Sequence, residues 1–200
     1  MHEEDKPANF SRRSVVTAAS LVPLAAISVA GAADESVFSA TEMRLLEAVV
    51  DRLIPTDELG PGARECGVSK YISGSLAGPL ARERAAFTAG LASIEAVARS
   101  RHGAAFADLD DAKKDSLLAA MESNQAAGFT PDSRTFFNRI RQLTLEGMFG
   151  DPFYGGNRAF AGWDLIRYPG PRMAVAPSEQ KIREPIKPLR TSAYGGHHGG

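Results

Sequence analysis

Residues 147–163 constrain the fold more than any other stretch, reading G-M-F-G-D-P-F-Y-G-G-N-R-A-F-A-G-W. They hold five of the 19 glycines and the only tryptophan, with Phe149, Phe153, Tyr154 and Phe160 beside it. Asp151-Pro152 and Gly155-Gly156 are turn pairs. Large rings gain most when they leave water. A stretch rich in both is neither a flexible linker nor an ordinary helix. It predicts an ordered loop whose rings are buried, in this chain or against another.

Around that loop the apolar residues recur at helical spacing. Ser39-Ala40-Thr41-Glu42 is a capping box. Leu45, Leu46, Val49, Val50, Leu53 and Ile54 then follow a helical period over 41–54, and Pro55 ends it. Residues 55–62 read as a loop, with Asp57 and Glu58 as solvated acids that lack the ligand spacing of a calcium loop. Residues 68–75 form at most a short helix, broken by Gly74, Gly78 and Pro79. Phe87, Leu91, Ile94 and Ala98 share one face of a helix over 80–101. Asp110 caps another, with Leu117, Leu118 and Met121 inward and Asp110, Asp111, Lys113, Lys114 and Asp115 outward. Pro131-Asp132-Ser133 opens the last long helix, whose stripe is Phe136, Phe137, Ile140, Leu143 and Gly147. Arg134, Arg139 and Arg141 fall off that stripe and read as exposed. Residues 164–168 are expected to be briefly extended. No strand alternation occurs, so the fold is all-α: four or five helices, a long ordered glycine-aromatic loop, and an extended proline-rich C-terminal arm.

Composition narrows the chemistry. Two hundred residues with 44% hydrophobic content suit one ordinary core. A formal charge of −1 argues against nucleic acid as a partner. The single cysteine, Cys66, excludes an internal disulfide, C-x-x-C metal sites, C-x-x-C-H haem attachment and an iron–sulfur cluster held by this chain alone. It reads as a structural thiol. There is no dinucleotide fingerprint, P-loop, H-E-x-x-H or G-x-S-x-G. His102 is the lone histidine between leader and tail, at a helix end where it serves as a cap. The residues give no reason to assign a catalytic, cofactor or metal site.

The N-terminus reads as a targeting segment. Ser11-Arg12-Arg13-Ser14 precedes an apolar run over 15–30, and small residues follow at 28–32. The run contains Pro23 and is short for the roughly 20 residues that a span requires. Arg12 and Arg13 with the preceding serine resemble a twin-arginine export signal. Val15, Val16 and Thr17 depart from its usual Phe, Leu and Lys. Towards the C-terminus, prolines 169, 171, 177, 185 and 188 are interleaved with Arg167, Arg172, Lys181, Arg183, Lys187 and Arg190, an extended basic arm that is disordered or ordered by a partner. Its end, with His197 and His198 among glycines, reads as a flexible tail.

Three blocks carry a resemblance to a known family: E-G-M-F-G-D-P-F-Y-G-G-N over 146–157, A-G-W-D-L-I-R-Y-P-G over 161–170, and L-I-P-T-D-E-L-G-P-G-A over 53–63. They resemble the gluconate 2-dehydrogenase subunit 3 family from about residue 42 to 170. The resemblance implies a non-catalytic accessory subunit of a membrane-associated dehydrogenase in the bacterial periplasm. It implies a large FAD-dependent partner of the glucose–methanol–choline type and a multi-haem cytochrome c subunit. Electrons would pass from a sugar or sugar acid to FAD, then haem c, then quinone. This chain would bind no cofactor itself, and its leader would engage the twin-arginine export machinery for a folded, flavin-loaded partner. Asp151, Pro152, Tyr154, Gly155, Gly156, Asn157 and Trp163 would form the signature or docking loop. The expected organisation is a signal segment over 1–32, a helical domain over 33–170 and the arm over 171–200. The rival expectation is a stand-alone exported ligand-binding or enzymatic domain, using Asp151, Tyr154, Asn157 and Arg158 as converging polar groups.

Overall fold

The computed structural model describes residues 36–180 and 186–195. Arg12, Arg13 and the rest of the leader, with His197 and His198, lie outside the described residues. Among the described residues there are six α-helices and no strand, an all-α domain.

The first helix, α1 (Ala40–Leu53), starts where the capping box places it. Glu42 accepts from the Ser39 amide at 2.8 Å, and Ser39 Oγ accepts from the Glu42 amide at 3.3 Å. The backbone bond from Ser39, then its hydroxyl, holds the Glu42 carboxyl below its ordinary value. Leu45, Leu46, Val49 and Val50 are the buried face.

The helix expected to break at Gly74 does not. It runs through that glycine as α2 (Val68–Ala77) and stops at Gly78. Gly74 is on the exposed side, where a glycine costs about 1 kcal/mol relative to alanine. Val68, Ile72 and Leu76 lie at i, i+4 and i+8 and are all fully buried. Each contributes roughly 1.5–3 kcal/mol, so burial outweighs the glycine.

The third helix begins later than its apolar period suggests. A 3₁₀ turn, Ala81–Glu83, precedes α3 (Arg84–His102), which ends at Gly103 in the left-handed conformation, φ 73°. Asp110 then caps α4 (Asp111–Glu122) and Asp132 caps α5 (Ser133–Phe149), each accepting from the amide three residues on.

The core forms where α5 packs against α1, α2 and α4, with α3 closing on α1. Leu46, Ile72, Leu91, Ile94, Phe106, Met121, Ile140 and Leu143 are its fully buried centre. Phe136 of α5 meets Phe87 of α3 edge-on at 5.3 Å between centroids. Two polar ties join helices at the rim. Arg52 of α1 holds Asp115 at 2.6 and 2.8 Å and Asp111 at 3.1 Å, so part of the acidic face of α4 is engaged. Arg139, expected to be exposed, grips Glu83 with two nitrogens at 2.7 and 3.0 Å. Pairs like these, with the arginine largely covered and the carboxylate in solvent, contribute about 1 kcal/mol each.

Residues 164–168 are not extended. The chain coils into α6 (Ala161–Leu165) and closes with turn bonds from Arg167 to Asp164 and from Tyr168 to Trp163. With α2 continuous and α6 added, the helices exceed the four or five expected. The reason for α6 lies in the loop that precedes it.

Candidate functional site

The loop is built outward from the end of α5. Gly150 ends the helix, and its amide returns to the Glu146 carbonyl at 2.8 Å. Asp151 then caps a 3₁₀ turn, Pro152–Tyr154, its Oδ1 accepting from the Phe153 amide at 2.9 Å. Pro152 sits at the turn's first position, where its missing N–H removes nothing. Gly155 leaves the turn at φ 92°, a conformation that L side chains disfavour.

Asn157 is the brace. It is fully buried. Its amide donates to the Gly147 carbonyl at 2.8 Å, its Nδ2 donates to the Gly150 carbonyl at 2.8 Å, and its Oδ1 accepts from the Gly162 amide at 2.8 Å. One residue therefore joins the last turn of α5 to the first turn of α6. It adopts φ 45°, ψ 45°, which asparagine tolerates better than most residues. Ala159 and Phe160 follow at φ 54° and 62°. For them that region costs roughly 1–2 kcal/mol each, and the Asn157 bonds hold them there. Gly162 is required by approach: a Cβ there would overlap the Met148 carbonyl oxygen.

The rings divide between two roles. Trp163 is buried at 4% exposure, its Nε1 donating to the Phe149 carbonyl at 2.9 Å. Tyr168 meets it edge-on at 4.8 Å. Phe149 and Phe160 are half-buried. Phe153 and Tyr154 are 45% and 51% exposed, so of the two burials expected for the loop's rings these two do not take the one within this chain. The short turn capped by Asp151 lifts them off the body of the domain, perpendicular to each other at 5.3 Å.

The arm returns to this loop. The Leu189 amide donates to the Pro169 carbonyl at 2.8 Å, and Arg172 donates to the Lys187 carbonyl at 2.5 Å. Arg190 pairs with Asp164, and Arg172 with Glu179. The Ala193 amide reaches Asp151 Oδ2 at 2.8 Å, and the Tyr194 ring stacks on Phe153 at 5.0 Å. The arm was expected to be disordered or ordered by a partner; its described residues are ordered by the chain's own loop. Ala193 and Tyr194 are thus residues that sequence reasoning missed. The one signal for them was an aromatic ring isolated in a glycine-rich tail.

The loop is anchored to the rest of the domain through Cys66. The Arg158 amide donates to the Cys66 carbonyl at 3.1 Å. Burial first, then the charge of Glu65, pushes the Cys66 thiol up, against a smaller opposing effect of Arg158. The thiol is buried, in line with a structural reading. A second junction lies at α6, where Leu165 packs against Gly60 beside Pro55, Leu59 and Pro61, around a groove of about 580 Å³. Two distant sequence blocks, 53–63 and 161–170, meet there.

Of the four polar residues considered for a ligand site, Asp151 and Tyr154 line one cleft, and Asn157 and Arg158 do not line it. Asn157 has its side-chain donor and acceptor engaged within the loop, and Asp151 caps one amide and holds another. Among the described residues no three of His, Cys, Asp and Glu lie close enough to share a metal ion. Among them, too, no helix is long and apolar enough to cross a membrane. Helix α3 ends in Arg99, Arg101 and His102, a cationic last turn that suits the helix dipole.

These features define a class: a small all-α domain whose last long helix feeds a glycine-aromatic loop braced from within by one asparagine. Residues 40–170 match the family model described as gluconate 2-dehydrogenase subunit 3, and the chain belongs to that family. The match takes in α1 through α6 and the whole braced loop. Searches of curated proteins and of solved structures gave no match.

Proposed function

We propose that this chain is the accessory, non-catalytic small subunit of a periplasmic, FAD-dependent dehydrogenase complex of the gluconate 2-dehydrogenase type. It docks on a large flavoprotein and supports that partner's export, maturation and stability. Electrons pass from sugar or sugar acid to the partner's FAD, then to a multi-haem cytochrome c and to quinone. The leader, through Arg12 and Arg13, takes the folded pair to the twin-arginine machinery. The mature complex sits at the inner membrane.

The family assignment gives the setting. The observation that carries the docking role is the division of labour in the loop. Asn157 and Trp163 use their polar atoms to hold the loop in place, and the turn they support presents Phe153 and Tyr154 to solvent. A loop so braced offers a rigid surface to a partner, and little ordering entropy is lost when that partner binds.

Expression of the flavin-dependent subunit with and without this chain tests the reading. Periplasmic dehydrogenase activity should fall to background without it. It should also fall when Arg12→Lys and Arg13→Lys are combined, with both subunits retained in the cytoplasm. Equal periplasmic activity in all three strains would refute the accessory role.

A further inference from the structure

A cleft of about 520 Å³ opens between the braced loop and the returning arm. Two ring pairs flank it. Trp163 and Tyr168 stand at 76° to each other, and Tyr154 and Tyr194 at 74° with centroids 5.5 Å apart. Asp151 is the carboxylate in its lining, and among the described residues none that line it is basic. Of the arm cations, Arg190 pairs with Asp164, and Arg172 with Glu179 and the Lys187 carbonyl, each keeping one buried guanidinium nitrogen without a hydrogen-bond partner. Each Asp151 oxygen accepts one backbone amide, which leaves each with capacity for a further hydrogen bond.

Aromatic faces carry negative potential and attract cations, most strongly where several rings converge. A carboxylate among them adds a full charge. The Tyr154 hydroxyl is pushed up in pKa chiefly by its hydrogen bond with Tyr194, then by burial, with the charges of Tyr194 and Asp151 as smaller causes. The geometry points to a receptor cleft for a guanidinium group, an arginine side chain carried by the partner flavoprotein. This rests on the accessory-subunit reading above. Arginine fits better than lysine because its planar cation can lie flat against a ring while its N–H groups reach the carboxylate. A protein segment fits better than a free ion because the rim is apolar. Ile166, Tyr154 and Tyr194 stand 55%, 51% and 61% exposed around the charged centre, a surface that a small solvated cation would leave wet.

Trp163 is the only tryptophan and lines the cleft, so its emission reports occupancy. The purified full chain is titrated with N-acetylarginine amide and, in parallel, with the neutral isostere N-acetylcitrulline amide. The arginine probe should give a saturable change in the millimolar range, and the neutral probe should bind at least about fivefold more weakly. Tyr154→Ala and Tyr194→Ala should each weaken the arginine probe by about two- to fivefold, while Tyr154→Phe, which keeps the ring, should stay near wild type. No saturable change, or equal affinity for the two probes, overturns the proposal. Capture of the co-expressed flavoprotein separates it from the reading beneath it. Loss of capture in the Tyr154→Ala, Tyr194→Ala double variant supports arginine docking. Unchanged capture overturns arginine docking and leaves the accessory role standing. Failure of the wild-type chain to capture any flavoprotein overturns the accessory role itself.

Discussion

The side-chain oxygen of Asn157 accepts a hydrogen bond from the Gly162 amide at 2.8 Å, and Asn157 is fully buried. The same side chain donates to the Gly150 carbonyl. This single contact sets where α6 begins and therefore where Trp163 is placed. Asn157→Ala would leave the buried Gly162 donor and the partly buried Gly150 acceptor without these partners, at up to roughly 1–3 kcal/mol each. We expect a loss of about 3 kcal/mol in urea unfolding, with a red shift of Trp163 emission as its indole meets water. A loss below about 0.5 kcal/mol would show that the brace is dispensable.

Two glycines give opposite expectations. Gly162→Ala pushes a methyl group into the Met148 carbonyl, so overpacking of about 1–3 kcal/mol is expected. Gly74→Ala meets nothing within 4 Å on the outer side of α2 and removes the helix penalty. It should stabilise the domain by about 0.5–1 kcal/mol. Urea midpoints that move in the same direction for both variants would contradict this assignment of their roles.

The caps at helix starts were legible because they are local. Ser39, Asp110 and Asp132 each bond an amide three residues ahead, a relationship written in adjacent letters. The buried stripes of α1, α3, α4 and α5 follow from period alone. What was not legible depends on contacts far apart in sequence. The continuity of α2 through Gly74 reflects the burial of Val68, Ile72 and Leu76, which no local rule for glycine contains. Helix α6 needs the Asn157 acceptor five residues upstream of Gly162, so 164–168 read as extended in isolation. Ring composition announced an ordered loop, but not that Trp163 would turn inward while Phe153 and Tyr154 turned outward. The hold of Asp151 on the Ala193 amide joins residues 42 apart in sequence and leaves no pattern to read.

Asp132 provides a test by pH. Its carboxylate accepts from the Thr135 amide at 2.8 Å and the Thr135 hydroxyl at 2.9 Å. These bonds, the backbone one first, hold its pKa below the ordinary value of 3.8. A depressed folded pKa gives stability that is present above the unfolded value and lost as pH falls through the folded one. Asp132→Asn keeps an acceptor for the cap but does not titrate. The wild type should therefore lose stability faster than Asp132→Asn below pH 3.8, as read by urea midpoints across a pH series. Parallel curves would contradict the cap's contribution.

Cys66 should be chemically silent in the folded chain. It is buried, and its raised pKa keeps it as the unreactive thiol at neutral pH. Alkylation with iodoacetamide should be slower by on the order of a hundredfold in the native protein than in urea, because it must wait for local opening. Comparable rates would place the thiol at the surface and loosen the anchor between Cys66 and Arg158.

The measurement closest to the central claim is capture of the flavin-dependent subunit by a variant that loses the presented rings but keeps the brace. Phe153→Ser with Tyr154→Ser changes two exposed positions and leaves Asn157, Gly162 and Trp163 intact. Interface anchors of this type contribute about 1–2 kcal/mol or more each. The double variant should keep a urea midpoint near wild type while capturing less than roughly a tenth of the flavoprotein. Capture at the wild-type level by a variant of unchanged stability would contradict the claim that this loop is the docking surface.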